Sequence, residues 1–185
     1  MMKSVSKSSK QKHLLAVLSA FAILITCPMQ VQAQEKPAVS IRAGGADHYH
    51  RVELAWESPS LWSHRFTGNG SRLDLVAELG AAYWHASGRD SPANLWQFSA
   101  IPMLRWSFGN GYYLEAGAGP TLISRTRFAN KTLSTAFQFG DHIGGGVYLS
   151  GNSRIGLRFS HFSNADIKRP NAGLNALQLL YSYQY

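Results

Sequence analysis

Arg72-Leu73-Asp74-Leu75-Val76-Ala77-Glu78-Leu79-Gly80-Ala81-Ala82-Tyr83-Trp84 is the stretch that decides how this chain folds. Leu73, Leu75, Ala77, Leu79, Ala81 and Tyr83 recur at every second position, with Arg72, Asp74 and Glu78 on the opposite parity. A period of two marks a strand with two unlike faces. The run is also longer than the roughly 5–6 residues usual in soluble sheets, and it reaches the roughly 9–11 residues that a strand needs to cross a bilayer.

The same alternation continues through Val39–Ala43, Arg51–Glu57, Trp96–Phe108, Tyr112–Ser124, Ala136–Leu149, Arg154–Ser163 and Asn175–Tyr185, giving eight strands in all. Gly44-Gly45, Gly109-Asn110-Gly111 and Gly151-Asn152-Ser153 read as tight turns between them. One face collects Leu, Trp, Phe and Tyr. The other carries Arg42, Arg51, Arg72, Arg105, Arg154 and Arg158 against Glu53, Glu57, Asp74, Glu78 and Glu115. A soluble barrel would hide the apolar face. Here the nearly balanced charges suit a narrow lumen, and an eight-stranded barrel is just wide enough for side chains to fill it. The expected fold is an all-β, eight-stranded antiparallel transmembrane β-barrel with a side-chain-filled interior. The last strand ends on Tyr181, Tyr183 and Tyr185, as terminal strands of outer-membrane barrels do.

The basic balance comes partly from outside the barrel. The chain has 185 residues, one Cys and a net charge of +8. Lys3, Lys7, Lys10 and Lys12 precede an apolar run from Leu14 to Cys27 and a Val31-Gln32-Ala33 site, the parts of a secretory signal peptide. The run is shorter than the roughly 20 residues of a membrane-spanning helix. Residues 1–33 are therefore expected to be a signal peptide and residues 34–185 the barrel domain. Cleavage after Ala33 would remove four basic residues, no acid and the Cys, leaving +4. No basic stripe remains for nucleic acid, and a lone Cys excludes a disulfide framework. The expected location is the outer membrane.

With an even strand number both termini face the periplasm, so the connections at 87–94, 127–132 and 164–174 lie outside the cell. Near that end His161 and Ser163 share the lipid-facing parity of Ile155, Leu157 and Phe159, and Asn175 shares that of Leu177 and Leu179. Polar groups facing lipid are expensive unless they have a use. Residues sitting just above the hydrocarbon band would look the same. A His that deprotonates a Ser, itself oriented by a third polar group, is the minimal apparatus for ester hydrolysis. Alternate residues of a regular strand sit roughly 7 Å apart, so the strand must bend or end at Phe162–Asn164. The turn-prone Ser163-Asn164-Ala165-Asp166 that follows could present backbone N–H groups to an oxyanion.

His161-Phe162-Ser163-Asn164-Ala165, followed by Lys168-Arg169-Pro170-Asn171, resembles the active-site region of the outer-membrane lipid A 3-O-deacylases, the PagL family. Gly140-Asp141-His142-Ile143-Gly144 resembles that family's sixth strand. The resemblance implies a cofactor-free hydrolysis of the ester-linked acyl chain at position 3 of lipid A. It implies His161 as general base and Ser163 as nucleophile, with the Asn171 side chain and the N–H groups of Ala165 and Asp166 as oxyanion hole. The family's orienting acid is a carboxylate, whereas this chain has Asn175. Asn can fix a histidine tautomer but cannot stabilise imidazolium by charge. Asp141 breaks the apolar parity of Phe137 and Phe139, is expected opposite Ser163, and is the alternative acid. Arg125, Arg127, Lys131, Lys168 and Arg169 are candidates to grip lipid A phosphates. No metal site is expected, because His48 and His50 lack further ligands at a zinc spacing. An outer-membrane phospholipase and a non-catalytic structural or adhesive barrel are the competing readings. A homodimer and the acyl-chain preference stay open.

Overall fold

The computed structural model describes residues 36–46, 48–87 and 92–185. The expected signal peptide, 1–33, lies outside the described residues. The strands are β1 (Ala38–Ala46), β2 (Tyr49–Glu57), β3 (Trp62–Arg65), β4 (Arg72–Ala86), β5 (Asn94–Ser107) and β6 (Tyr112–Ile123). They continue with β7 (Arg127–Phe128), β8 (Lys131–Thr132), β9 (Phe137–Tyr148), β10 (Ser153–Ser163) and β11 (Leu174–Gln184). Eight of them (β1, β2, β4, β5, β6, β9, β10 and β11) form one antiparallel sheet that closes on itself. Pairing of β1 with β11 joins the first and last of these strands, and pairing of β2 with β4 completes the circuit. Closure leaves no open edge among these eight, which is what makes strands tolerable in lipid.

The two faces differ as the alternation requires. Leu54, Leu79, Phe98, Leu114, Ile143 and Leu179 project outward and are more than half exposed. All six arginines and five acids of the opposite parity are buried. Arg72 pairs with Asp74 (2.7 Å), and the other nine form a connected lumenal network. Arg42 pairs with Glu53 (2.9 Å) and Glu78, and Arg105 with Glu57 (2.7 Å) and Glu115 (3.2 Å). Arg158 bridges Glu78 (2.8 Å) and Glu115 (2.6 Å), and Arg154 reaches Glu57. The charges thus satisfy one another inside, the condition for burying them at all.

Three features depart from the sequence reading. Gly44 and Gly45 lie within β1, which runs to Ala46, so they do not form the turn expected of them. A side chain at Gly44 would collide with the β11 backbone at Leu177 and Gln178, so these glycines serve close strand approach. The second departure is β3, which pairs with the lower part of β4 below the point where β2 ends. The third is in the upper lumen, which is apolar. Tyr49, Trp84, Phe128 and Phe162 pack there with ring centroids 5.5–6.1 Å apart. Leu95, Ile123, Leu133 and Leu174 complete this plug.

Candidate active site

The polar residues singled out in the sequence gather on the outer face of β9, β10 and β11, at the loop end of these strands. Asp141 lies on β9, His161 and Ser163 on β10, and Asn175 on β11. The register makes His161 the direct partner of Asn175 on one side and of Asp141 on the other. Asp141 moves two residues along from its expected place, because four residues (149–152) join β9 to β10 and Phe139 takes the position opposite Ser163.

The His161 Nδ1 lies 2.6 Å from Asn175 Oδ1. An amide oxygen only accepts, so Nδ1 carries a proton, and in the neutral ring the lone pair is on Nε2. The backbone N–H of Asn175 donates to the buried Tyr49 hydroxyl at 3.2 Å, tying this end of β11 to the aromatic plug. Gly173, at φ +61°, lies over the imidazole. A Cβ there would come within 2.9 Å of His161 Cε1. The missing side chain is the room that the ring occupies.

Ser163 is the last residue of β10, so the strand ends within the expected 162–164 stretch. Immediately after it, Ile167 N–H donates to Asn164 C=O at 3.0 Å across a tight turn. The turn's central residues, Ala165 (φ 51°) and Asp166 (φ 61°), are both left-handed, the pattern of a type I′ turn. Neither has the glycine that normally relieves this conformation. Their N–H groups lie outside the strand ladders. Asn171 Oδ1 accepts the Asn164 N–H at 3.3 Å, and Asn171 Nδ2 points to Asp166 Oδ1 at 3.4 Å. Asp166 also pairs with Arg169 at 3.1 Å, both ends exposed.

Asn164, fully buried, holds this loop down. Its Nδ2 donates to Leu133 C=O (2.9 Å) and Lys168 C=O (2.8 Å), linking the 164–173 connection to the 124–136 connection. Of the five basic candidates, Arg125, Arg127, Lys168 and Arg169 are exposed on these two connections. Lys131 is half-buried and donates to Gly173 C=O at 3.3 Å. Asn164, Gly173 and Tyr49 were not singled out from the sequence. Their parts depend on loop conformation and on contacts between distant segments, for which residue spacing gives no signal.

An apolar groove of about 530 Å³ begins at His161 and Asp141 and follows the barrel wall over Ala116, Ala118, Ile143, Phe159 and Leu104. A polar cluster that opens into an apolar, lipid-facing trough is suited to a substrate with a polar bond and a long hydrocarbon tail.

Fold and site together define a small outer-membrane barrel with its polar residues presented to the lipid. A family model described as Lipid A 3-O-deacylase (PagL) matches residues 50–184, and the chain belongs to that family. It is 51% identical over 176 residues to the lipid A deacylase PagL of Bordetella bronchiseptica, covering 95% of this chain and 97% of that one. It is 30% identical over 170 residues to the lipid A deacylase PagL of Pseudomonas aeruginosa, covering 90% and 94%. The crystal structure of the outer membrane enzyme PagL superposes with a TM-score of 0.73 at 27% identity, covering 80% of this chain and 99% of that one. The Yersinia pestis outer membrane protein Ail shares the barrel fold alone, at 8% identity, with a TM-score of 0.50 over 82% of this chain and 99% of that one.

Proposed function

We propose that the barrel hydrolyses the ester that holds the acyl chain at position 3 of lipid A, in the outer leaflet of the outer membrane, with Ser163 as nucleophile. The observation that carries the reading is the His161–Asn175 hydrogen bond (2.6 Å) on a lipid-facing wall. It leaves Nε2 as the base, on the face that also carries Ser163. In the proposed first step Nε2 accepts the Ser163 Oγ proton while Oγ bonds to the ester carbonyl carbon. The oxyanion is received by the N–H groups of Ala165 and Asp166 and by Asn171 Nδ2, once substrate draws that amide from Asp166. Collapse breaks the bond to the sugar oxygen, which takes the proton from His161. Water then attacks the acyl-serine, giving up its proton to Nε2; the bond between Oγ and the carbonyl carbon breaks, Ser163 Oγ takes that proton from Nε2, and the free fatty acid leaves.

The groove beside His161 would take the departing chain, and the exposed Arg125, Arg127, Lys168 and Arg169 would meet the phosphates of the headgroup. Residues 1–33 would direct export and be removed. The proposed site is complete within one chain, so the activity needs no second copy. Purified barrel in mixed micelles with lipid A tests the reading. Wild type is expected to release the 3-linked 3-hydroxy fatty acid, and Ser163→Ala and His161→Ala to release none. Release of acyl chains from phospholipid in place of lipid A would make the protein a phospholipase.

A further inference from the structure

Lys131 stands apart from the other loop cations. Its ammonium donates to Gly173 C=O at 3.3 Å and sits 5.8 Å from the centroid of the Tyr49 ring. Each partner leads to the imidazole by its own route. Gly173 lies over the ring, where the position of a Cβ would fall 2.9 Å from His161 Cε1 and 3.6 Å from Nε2. Tyr49 accepts the backbone N–H of Asn175, whose side chain receives His161 Nδ1. Around Lys131 the same two connections are joined three more times, by Ala172 N–H to Thr132 C=O (3.2 Å), Ser134 Oγ to Pro170 C=O (2.6 Å) and Asn164 Nδ2 to Leu133 C=O (2.9 Å).

We propose that Lys131 is a positioning residue: from the neighbouring connection it holds the Gly173–Asn175 segment against His161. This rests on the esterase reading of His161 and replaces the phosphate-binding part expected of Lys131. An ammonium shared between a carbonyl and a ring face has little left for a headgroup, whereas Arg125, Arg127, Lys168 and Arg169 are exposed. Removing the ammonium loosens the segment and so the direction of Nε2. Sub-ångström to ångström losses of alignment act on the chemical step rather than on binding.

Lys131→Met keeps most of the apolar stem and removes the charge, and Lys131→Arg restores a cationic donor. Both are assayed on bisphosphorylated lipid A and on the same lipid A stripped of its phosphates, after the heat-dependent shift in gel mobility has shown that the barrels are folded. Lys131→Met is expected to lower kcat about tenfold on both substrates with KM unchanged, and Lys131→Arg to recover most of the loss. Unchanged kcat in Lys131→Met, or a rise in KM confined to the phosphorylated substrate, overturns the proposal. A second readout does not depend on turnover. In ¹⁵N-histidine-labelled protein the Nδ1–H resonance of His161, assigned by its loss in His161→Ala, is expected to broaden or disappear in Lys131→Met. An unaltered resonance overturns the proposal. A wild-type protein that releases no fatty acid overturns the esterase reading, while the resonance still decides the placement of Lys131.

Discussion

His161 is flanked by an amide on β11 and a carboxylate on β9, and only the amide is hydrogen-bonded to it. In the proposed reaction the Asn175 carbonyl would fix the tautomer but would carry no charge to balance the imidazolium formed on proton transfer. Asn175→Asp, of the same shape, is therefore expected to raise kcat by at least about tenfold, measured as fatty-acid release at saturating lipid A. Asn175→Ala is expected to lower kcat more than Asp141→Asn does. The reverse order would assign the acid role to Asp141. His161, Ser163 and Asn175 were legible as a group because each breaks an otherwise apolar parity. The opposition of Asp141 and His161 was not, because it depends on the length of the 149–152 turn, and one or two residues there move every partner along the strand. Gly173 was equally hidden, since its part depends on a left-handed conformation and a ring overhead. Gly173→Ala is expected to cut kcat while leaving the barrel's thermal stability within about 1–2 kcal/mol of wild type, the range for a strained backbone position.

Among the elements, the strands were the most legible and the connections the least. Alternation placed all eight barrel strands, since each has one face in lipid and one in the lumen, and the only large error was the turn assigned to Gly44-Gly45. The connection 164–173 shows no periodicity, and its shape comes from its neighbour. Asn164 anchors it to Leu133 and to its own Lys168, with the Asn164 side chain fully buried. Asn164→Ala removes the donor shared by the Leu133 and Lys168 carbonyls, at about 0.5–1.5 kcal/mol for each hydrogen bond lost. The expected outcome is a folded barrel whose 164–173 connection is cut rapidly by protease and whose deacylation is slow. Cleavage as slow as in wild type would show that the connection is held by other contacts.

For the molecule as a whole, the sequence showed charges inside and hydrocarbon outside, and the lumen bears this out with six arginines and five acids buried. It did not show the aromatic plug, because Trp84, Phe162 and Tyr49 share the parity of the lumenal charges. Toward the loop end that parity turns largely apolar, and Tyr49, Trp84, Phe128 and Phe162 fill the lumen there. Glu57 stands at the centre of the charge network, accepting from Arg105 (2.7 Å), Arg154 and Ser40 (2.6 Å). Glu57→Gln strands buried guanidinium charge and is expected to cost about 3–5 kcal/mol, read as a lower temperature at which the barrel loses its compact gel mobility. The barrel exists, on this account, to hold an esterase against the outer leaflet, and mass spectrometry of lipid A from cells expressing the protein tests that most directly. Wild type is expected to shift the lipid A ions down by the mass of one 3-hydroxyacyl chain, with no shift for folded Ser163→Ala. An unchanged spectrum with folded wild-type protein in the outer membrane, or the same shift with Ser163→Ala, would contradict it.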